Sequence, residues 1–355
     1  MDEKQARFLL SDAGHLSTPQ HNGILEAFGS AAVFLADPAN ARAHLGQERG
    51  EALLRAVDSP EQSGRLSRLE GEGVRLLIRG EADYPPGLLE VEEPPPLLYM
   101  KGALPALCPL LSVIGTRRPT LYGRQMAELF GRNLGAEGFC IVSGLARGID
   151  TLAMQAARKA GAPLVGVLGC GIDRVYPEEN RELFASIPGD GALISEYPPG
   201  ADPNGYHFPW RNRLIAGLGL ALLVVEATLR SGSLVTVRWA LQQGKEIFAL
   251  PGPVNSENSR GCHQLIRDGA TLVESHSDIV EHFRHWLRAS PRLDEEALPS
   301  GVNKLGLEDA PRTIAELEEA TGLSPGELAA ELMKAVARGE ARRLPGQRFC
   351  LAEKQ

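Results

Sequence analysis

The chain has 355 residues, 43% of them apolar and 23% charged, with a formal charge of -8; this is the composition of a soluble globular protein with room for two or three domains, and it excludes fibrous and disordered classes. An acidic balance argues against indiscriminate coating of nucleic acid, yet residues 101–290 carry 19 Lys and Arg against 17 Asp and Glu while residues 1–100 carry 9 against 16, so a focused anion site in the middle segment is compatible with the whole. The longest apolar run, Leu214–Val225, has 12 residues, short of the roughly 20 that cross a bilayer, and five cysteines without a CxxC pair read as buried apolar residues of a reducing cytoplasm rather than as disulfides or a metal site.

In chain order, residues 1–75 read as a helical domain. Ile24, Leu25, Phe28, Val33 and Phe34 recur at helical spacing, broken by Gly29. The opening MDEKQARFLL lacks the basic and then apolar pattern of a secretory leader. Pro85, Pro86, Pro94, Pro95 and Pro96 forbid a continuous helix or central strand, so this stretch is expected to enter the next domain in a stiff, extended form. From Leu110 the pattern changes. Apolar runs (LLSVI, FCIVS, PLVGVLG, GALISE, LALLVVEA, EIFALPG) alternate with helical segments at about 122–137, at about 150–160 and in SGSLVTVRWALQQG. Alternating strands and helices imply βαβ units and a mostly parallel, doubly wound sheet covered on both faces. This domain is expected to span residues 76–288. Residues 289–311 read as a linker. In the last segment, 312–355, Thr313 with Glu316 and Ser324 with Glu327 are helix-start signals. Two short strands around a Pro-Gly turn follow, which gives the outline of a winged helix. Its second helix is not basic, which argues against DNA reading by it.

In a doubly wound sheet, ligands sit beyond the carboxyl ends of the strands. The loops there are Gly115-Thr116-Arg117-Arg118-Pro119, Ser143-Gly144-Leu145-Ala146-Arg147-Gly148, Gly169 to Pro177 with Arg174 and Tyr176, and Thr228-Leu229-Arg230-Ser231-Gly232-Ser233. Each carries glycine and arginine. Glycine admits close approach of an anion to the backbone, helix N-termini offer free N–H groups, and the guanidinium fork grips phosphate. HFPWRNRLIAGL places Arg211, Asn212 and Arg213 at the same rim, with the apolar run behind them expected to lead into a core strand. Two bland alternatives stay open. The glycines also suit plain tight turns, and Arg211 and Arg213 also suit ion pairs with Glu196 or Glu226.

Catalytic signatures are missing. The sequence holds no GxxxxGK[ST], HExxH or GxSxG, GCGIDR lacks the third glycine of a dinucleotide fingerprint, and the histidines show no ligand spacing. No cofactor, metal or membrane contact is expected, and no catalysis. Aromatic residues are only 5% of the chain, so a site for single strands here is expected to lean on phosphates more than on stacking.

The ordered set YPPGLLEVEEPPPLLYMKG, VIGTRRPT, SGLARGID, GCGIDRVYP, SEYPPG, HFPWRNRLIAGL, VEATLRSGSL, GKEIFALPGPV and GCHQLIRDGATLV resembles the DNA-processing protein A family over roughly residues 80–285. The resemblance implies an extended Rossmann-like domain that binds single-stranded DNA without sequence preference. It also implies a homodimer and loading of RecA recombinase during natural transformation and recombination, with single-strand-binding protein sharing or ceding the strand. By the same resemblance, Arg117 grips a phosphate, Gly115 and Thr116 give backbone contacts, and Gly144 and Gly148 line the groove. Arg211 and Arg213 flank the strand with Phe208 or Trp210 near it, and His263 and Leu272 are dimer-interface candidates. Arg147, Arg174, Tyr176, Asn212, Ser231 and Ser233 complete the candidate nucleic-acid contacts. Glu178 departs from the family, many members of which place Lys or Arg after this Tyr-Pro; Arg174 or Arg181 is the substitute. The N-terminal residues keep the FGS of a SAM-like or helix-hairpin-like module without its Gly-x-Gly hairpin, which suggests a protein-contact or architectural role. Double-stranded DNA is left open. Two other classes remain: a nucleotide-binding phosphoribohydrolase of the lysine-decarboxylase-like group, although EATLRSGSLVT lacks that group's double glycine, and a structural adaptor.

Overall fold

The structure, a computed structural model, describes residues 1–106, 108–284, 305, 307, 312–337, 341–344 and 348–351. It divides into two compact units, Met1–Pro105 with Leu110–Glu274, and Ala106–Pro109 with Ser275–Gln355.

The first unit opens with six helices: α1 (Glu3–Asp12), α2 (Thr18–Phe28), α3 (Ala31–Ala36), α4 (Pro38–Leu45), α5 (Gln47–Val57) and α6 (Pro60–Gly71). Their starts are written locally. Asp2 with Gln5 and Ser17 with Gln20 form capping boxes, and Gly29 closes α2 at φ +74. Ala6, Leu10, Ile24, Phe34 and Leu53 make their core.

A nine-stranded sheet follows: β1 (Val74–Ile78), β2 (Leu97–Gly102), β3 (Leu110–Ile114), β4 (Cys140–Ser143), β5 (Leu164–Leu168), β6 (Ala192–Ser195), β7 (Ala221–Val224), β8 (Glu246–Ala249) and β9 (Thr271–Leu272), in the order β1-β2-β6-β5-β4-β3-β7-β8-β9. The seven strands β3 to β9 run parallel, while β2 is antiparallel to β1 and to β6. The connecting helices are α7 (Leu121–Ala136), α8 (Ile149–Lys159), α9 (Arg181–Ser186), α10 (His207–Leu218), α11 (Ser233–Gln242) and α12 (Arg260–Arg267). This is the expected doubly wound, Rossmann-like architecture. Two local readings differ. The proline-rich stretch is bracketed by β1 and β2, and its prolines sit in the connection between them, where no ladder donor is lost. The run behind Arg213 begins as helix, with α10 continuing to Leu218 before β7 starts at Ala221. A continuously apolar segment buried on every side carries no periodicity to separate the two states.

In the second unit, α13 (His276–His282) is followed by a three-stranded sheet of β10 (Arg312–Thr313), β11 (Ala341–Leu344) and β12 (Arg348–Leu351), ordered β10-β12-β11, with helices Ile314–Thr321 and Pro325–Ala337. The capping box of Thr313 and Glu316 forms as expected. Leu305, Leu317, Leu328, Leu332 and Phe349 share its core. Apart from Leu305 and Leu307, the linker reading falls outside the described residues, as does the Pro-Gly turn.

One buried ion pair ties the first unit together. Arg213 of α10 is fully buried and forks both carboxylate oxygens of Glu196, which follows β6, at 2.7 Å each. It also donates to the carbonyls of Glu92 at 2.9 Å and Glu93 at 3.0 Å, and lies over the Trp210 ring at 4.3 Å. Glu196 accepts further from the Thr18 hydroxyl of α2 and from Trp210 Nε1. N-terminal helix, proline-rich segment, sheet and α10 thus meet at two charges. Arg213→Ala strands a buried carboxylate and should cost about 3–5 kcal/mol in urea unfolding. The Arg213→Met, Glu196→Leu double variant should cost less than either single change; additive costs would refute the coupling.

Candidate nucleic-acid interface

The chain winds from β3 through β4 and β5 to β6 on one side, then crosses to β7 and β8 on the other. The loops after β3 and β7 therefore part at the switch point, the usual ligand crevice of such sheets. Hydrogen bonds lock them to each other. Thr116 N donates to the Glu226 carbonyl at 2.7 Å, Ser233 Oγ to the Gly115 carbonyl at 2.7 Å, and Ser231 Oγ to Ser233 Oγ at 3.0 Å. The predicted serines thus brace the loop from beneath.

Three predicted glycines are sites of close approach. A Cβ on Gly115 would stand 2.5 Å from the Ile149 side chain, and one on Gly144 would stand 2.5 Å from Arg211 Nη2. Gly148 adopts φ +82, and a Cβ there would meet the Thr116 carbonyl at 2.4 Å. The close neighbours at these positions are Ile149 of α8, Arg211 of α10 and the Thr116 carbonyl.

Two carboxylates sit at the helix starts that face this crevice. The Glu226 carboxylate is 1% exposed and accepts from Thr120 N at 2.9 Å and Thr120 Oγ1 at 2.6 Å. It lies against Gly123 in the first turn of α7, where a Cβ would be 2.2 Å from its Oε2. Asp150, in the first turn of α8, is buried and accepts from Gly144 N at 3.2 Å. Burial pushes its carboxyl up, against the pull of the Arg211 charge.

Arg211 is 3% exposed. It donates from Nη1 to the carbonyls of Gly144 (3.1 Å) and Val167, and from Nε to Asn212 Oδ1 at 3.2 Å. Burial lowers its guanidinium to about 10, which leaves it charged at neutral pH. The rim position expected for Arg211 and Arg213 therefore meets two side chains turned inward, because α10 packs its arginine face against the sheet and the proline-rich segment. Of the two carboxylates weighed for Arg213, Glu196 is the partner.

What reaches the surface is a cluster around Phe208. Its ring lies against Gly169, where a Cβ would be 2.7 Å from Cδ1. Tyr176 stacks on it at 5.3 Å between centroids. The guanidinium carbons of Arg117 and Arg211 stand 5.7 and 5.9 Å from its centre. Arg117, Arg118 and Arg230 are exposed and have no ion-pair partner among the described residues. The arginines toward β5 differ. Arg147 pairs with Glu179, Arg181 with Glu178, and Arg174 lies 3.7 Å from Asp202. Gly169 was read only as part of its loop and not as a contact, and Glu179 escapes the sequence reading, since nothing local points to it.

The dimer candidates lie elsewhere. His263 on α12 is half-buried with Nε2 3.0 Å from the Gly252 carbonyl, and Leu272 is exposed on β9, the edge strand. Among the described residues no cluster of His, Cys, Asp and Glu has the form of a metal site, and no helix is long and apolar enough to cross a membrane.

Comparison with known proteins follows the same outline. Protein Smf of Escherichia coli is 38% identical over 84% of this chain and 85% of its own length. DNA processing protein DprA of Streptococcus pneumoniae is 43% identical over 56% of this chain and 71% of its own. The crystal structure of the pneumococcal protein superimposes with a TM-score of 0.65, covering 79% of this chain and 98% of that one at 33% identity. DNA processing protein A of Helicobacter pylori, whose structure was described for its single-stranded DNA binding mode, gives a TM-score of 0.54 over 59% of this chain and 95% of that one at 29% identity. A family model described as DNA recombination-mediator protein A matches residues 75–284. Fold, ordered motifs and relatives agree, and the chain belongs to the DNA recombination-mediator protein A family.

Proposed function

We propose that this protein binds single-stranded DNA without sequence preference at the Phe208 cluster and loads RecA recombinase onto it in transformation and recombination, without catalysis of its own. The observation that carries the reading is an exposed, unpaired guanidinium (Arg117) beside two stacked rings (Tyr176, Phe208), above a buried arginine that stays charged. That is the pairing of cation and stacking platform that single strands need. The single-stranded DNA binding described for the Helicobacter pylori relative supports it. Arg117 contacts a phosphate directly, Arg118 and Arg230 extend the track, and Arg211 supplies charge from below. Arg213 holds the scaffold.

The phosphoribohydrolase alternative is disfavoured by Glu226 and Asp150. A nucleotide phosphate in a doubly wound fold seeks a helix N-terminus, and the first turns of α7 and α8 each hold a buried carboxylate. The C-terminal helices and strands are assigned as a winged helix. Two copies are assigned to join through α12 and β9, which gives one strand two rims and raises avidity. The working compartment is the cytoplasm. Single-strand-binding protein is the competitor for the strand.

Fluorescence anisotropy with labelled oligo-dT across a salt series tests the site. Arg117→Ala should weaken binding and flatten the log–log salt slope by about 0.7, one phosphate on a single strand. Phe208→Ala should cost about 1–3 kcal/mol of affinity. Wild type that fails to bind at low salt would sink the reading. In sedimentation velocity, Leu272→Asp should shift a dimer to monomer, and a wild-type monomer would dismiss the interface. RecA nucleation on strands precoated with single-strand-binding protein should accelerate when the protein is added; an unchanged lag rejects the loading role.

A further inference from the structure

Around the rim the arginines fall into two sets. Toward β3 and β7, Arg117, Arg118 and Arg230 are exposed and carry no ion pair among the described residues. Toward β5, Arg147, Arg174 and Arg181 each face a carboxylate: Glu179, Asp202 and Glu178.

The Arg147–Glu179 pair is the most regular. Nε and Nη2 of Arg147 reach the two carboxylate oxygens of Glu179 at 2.5 and 2.8 Å. This is the parallel two-bond fork that a guanidinium also presents to a phosphate. Both side chains are more than half exposed, 56% and 53%, so solvent screens the pair and a competing anion can reach it. The carboxylate is nonetheless held in place. Glu179 lies in the short turn Glu178–Asn180, and the next residue, Asn180, is buried and donates to the Leu145 carbonyl and to Thr151 Oγ1 at 2.8 Å each. The turn is thereby pinned to the loop that carries Arg147. Three residues back along the chain, Tyr176 stacks on Phe208, and Arg117 stands over the same ring. The guarded arginine and the open one border one continuous surface.

We propose that Glu179 is an internal phosphate mimic, an affinity-setting residue that occupies Arg147 in the free protein and is displaced by a phosphate of the bound strand. Glu178 stands in the same relation to Arg181. The inference rests on the single-stranded DNA reading of the rim. A strand engages the open half at Arg117 first. It gains the guarded half only by exchanging carboxylate for phosphate, so the wild-type affinity and salt slope fall short of what the number of rim arginines would give.

The test is oligo-dT anisotropy with wild type, Glu179→Gln, Glu182→Gln and the double variant Arg147→Ala, Glu179→Gln, each checked for folding by circular dichroism. Glu182 is exposed on the following turn with no ion pair among the described residues, so its substitution removes the same charge without freeing an arginine. Glu179→Gln should bind about three-fold more tightly, the upper range for an exposed pair, with a salt slope steeper by about 0.7. Glu182→Gln should match wild type, and the double variant should lose the gain. If wild type binds and Glu179→Gln is no tighter, the mimic is overturned while the rim stands. Equal gains from both glutamines overturn it too, in favour of general repulsion. A wild type that does not bind overturns the rim reading itself.

Discussion

The candidate site depends on a charge pair that takes no part in it. Arg213 and Glu196 are buried together, and each leaving water alone would cost several kcal/mol. The structure offsets this by satisfying both: two carboxylate oxygens accept from two guanidinium nitrogens, and the remaining donors reach the Glu92, Glu93 and Trp210 carbonyls. The consequence is positional. Arg213 fixes the roll of α10, so that Arg211, two residues earlier, points under the sheet's carboxyl edge and Phe208 lies over Gly169. If α10 turned by a fraction of a helical step, the ring would leave Tyr176 and the buried arginine would lose the Val167 and Gly144 carbonyls.

A second constraint works on the helix starts. A doubly wound sheet presents several N-termini to one crevice, each with partial positive charge. Here that charge at α7 and α8 is taken by the protein's own Glu226 and Asp150. What remains for an anion are the start of α11, which holds no acidic residue, and the side-chain cations at the lip. This suits a flexible polymer, which is held at intervals along its backbone, better than a compact phosphate, which is held by converging N–H groups.

The sheet was legible because each strand from β3 to β8 lies in a short apolar run, β3, β4 and β5 are each followed directly by glycine, and helical spacing fills the crossovers of α7, α8 and α11. The boundaries of α7 and α8 lay within one residue of the reading. β1 and β2 were not legible, since five prolines dominated the stretch between them. At the site, the sequence set Arg117, Tyr176 and Phe208 among many rim candidates, with Trp210 as the alternative to Phe208, and the structure brings these three together. It did not reveal which arginines face water. Arg211 and Arg213 look alike in RNR, and only the fold decides that Glu196, 17 residues earlier, meets one of them. The partners Thr120 with Glu226 and Arg147 with Glu179 are 106 and 32 residues apart, beyond any local pattern. Glycine was expected to admit an anion; at Gly115, Gly144 and Gly148 the groups close by are Ile149, Arg211 and the Thr116 carbonyl, which no local pattern announces.

Charge balance gives the last step. The chain is -8 overall, and its first 100 residues hold most of the excess acid. Beyond a Debye length of about 8 Å at physiological salt, such a body offers DNA little attraction. Within that distance the lip is cationic, and Arg211 adds a charge that water screens poorly because it is buried. A duplex holds its bases inside and cannot offer them to Phe208 and Tyr176. A single strand can present base and phosphate together. On the proposed reading, the acidic body and the small cationic lip with two rings act in one direction: they penalise bulk polyanion and favour a strand whose bases are free to stack.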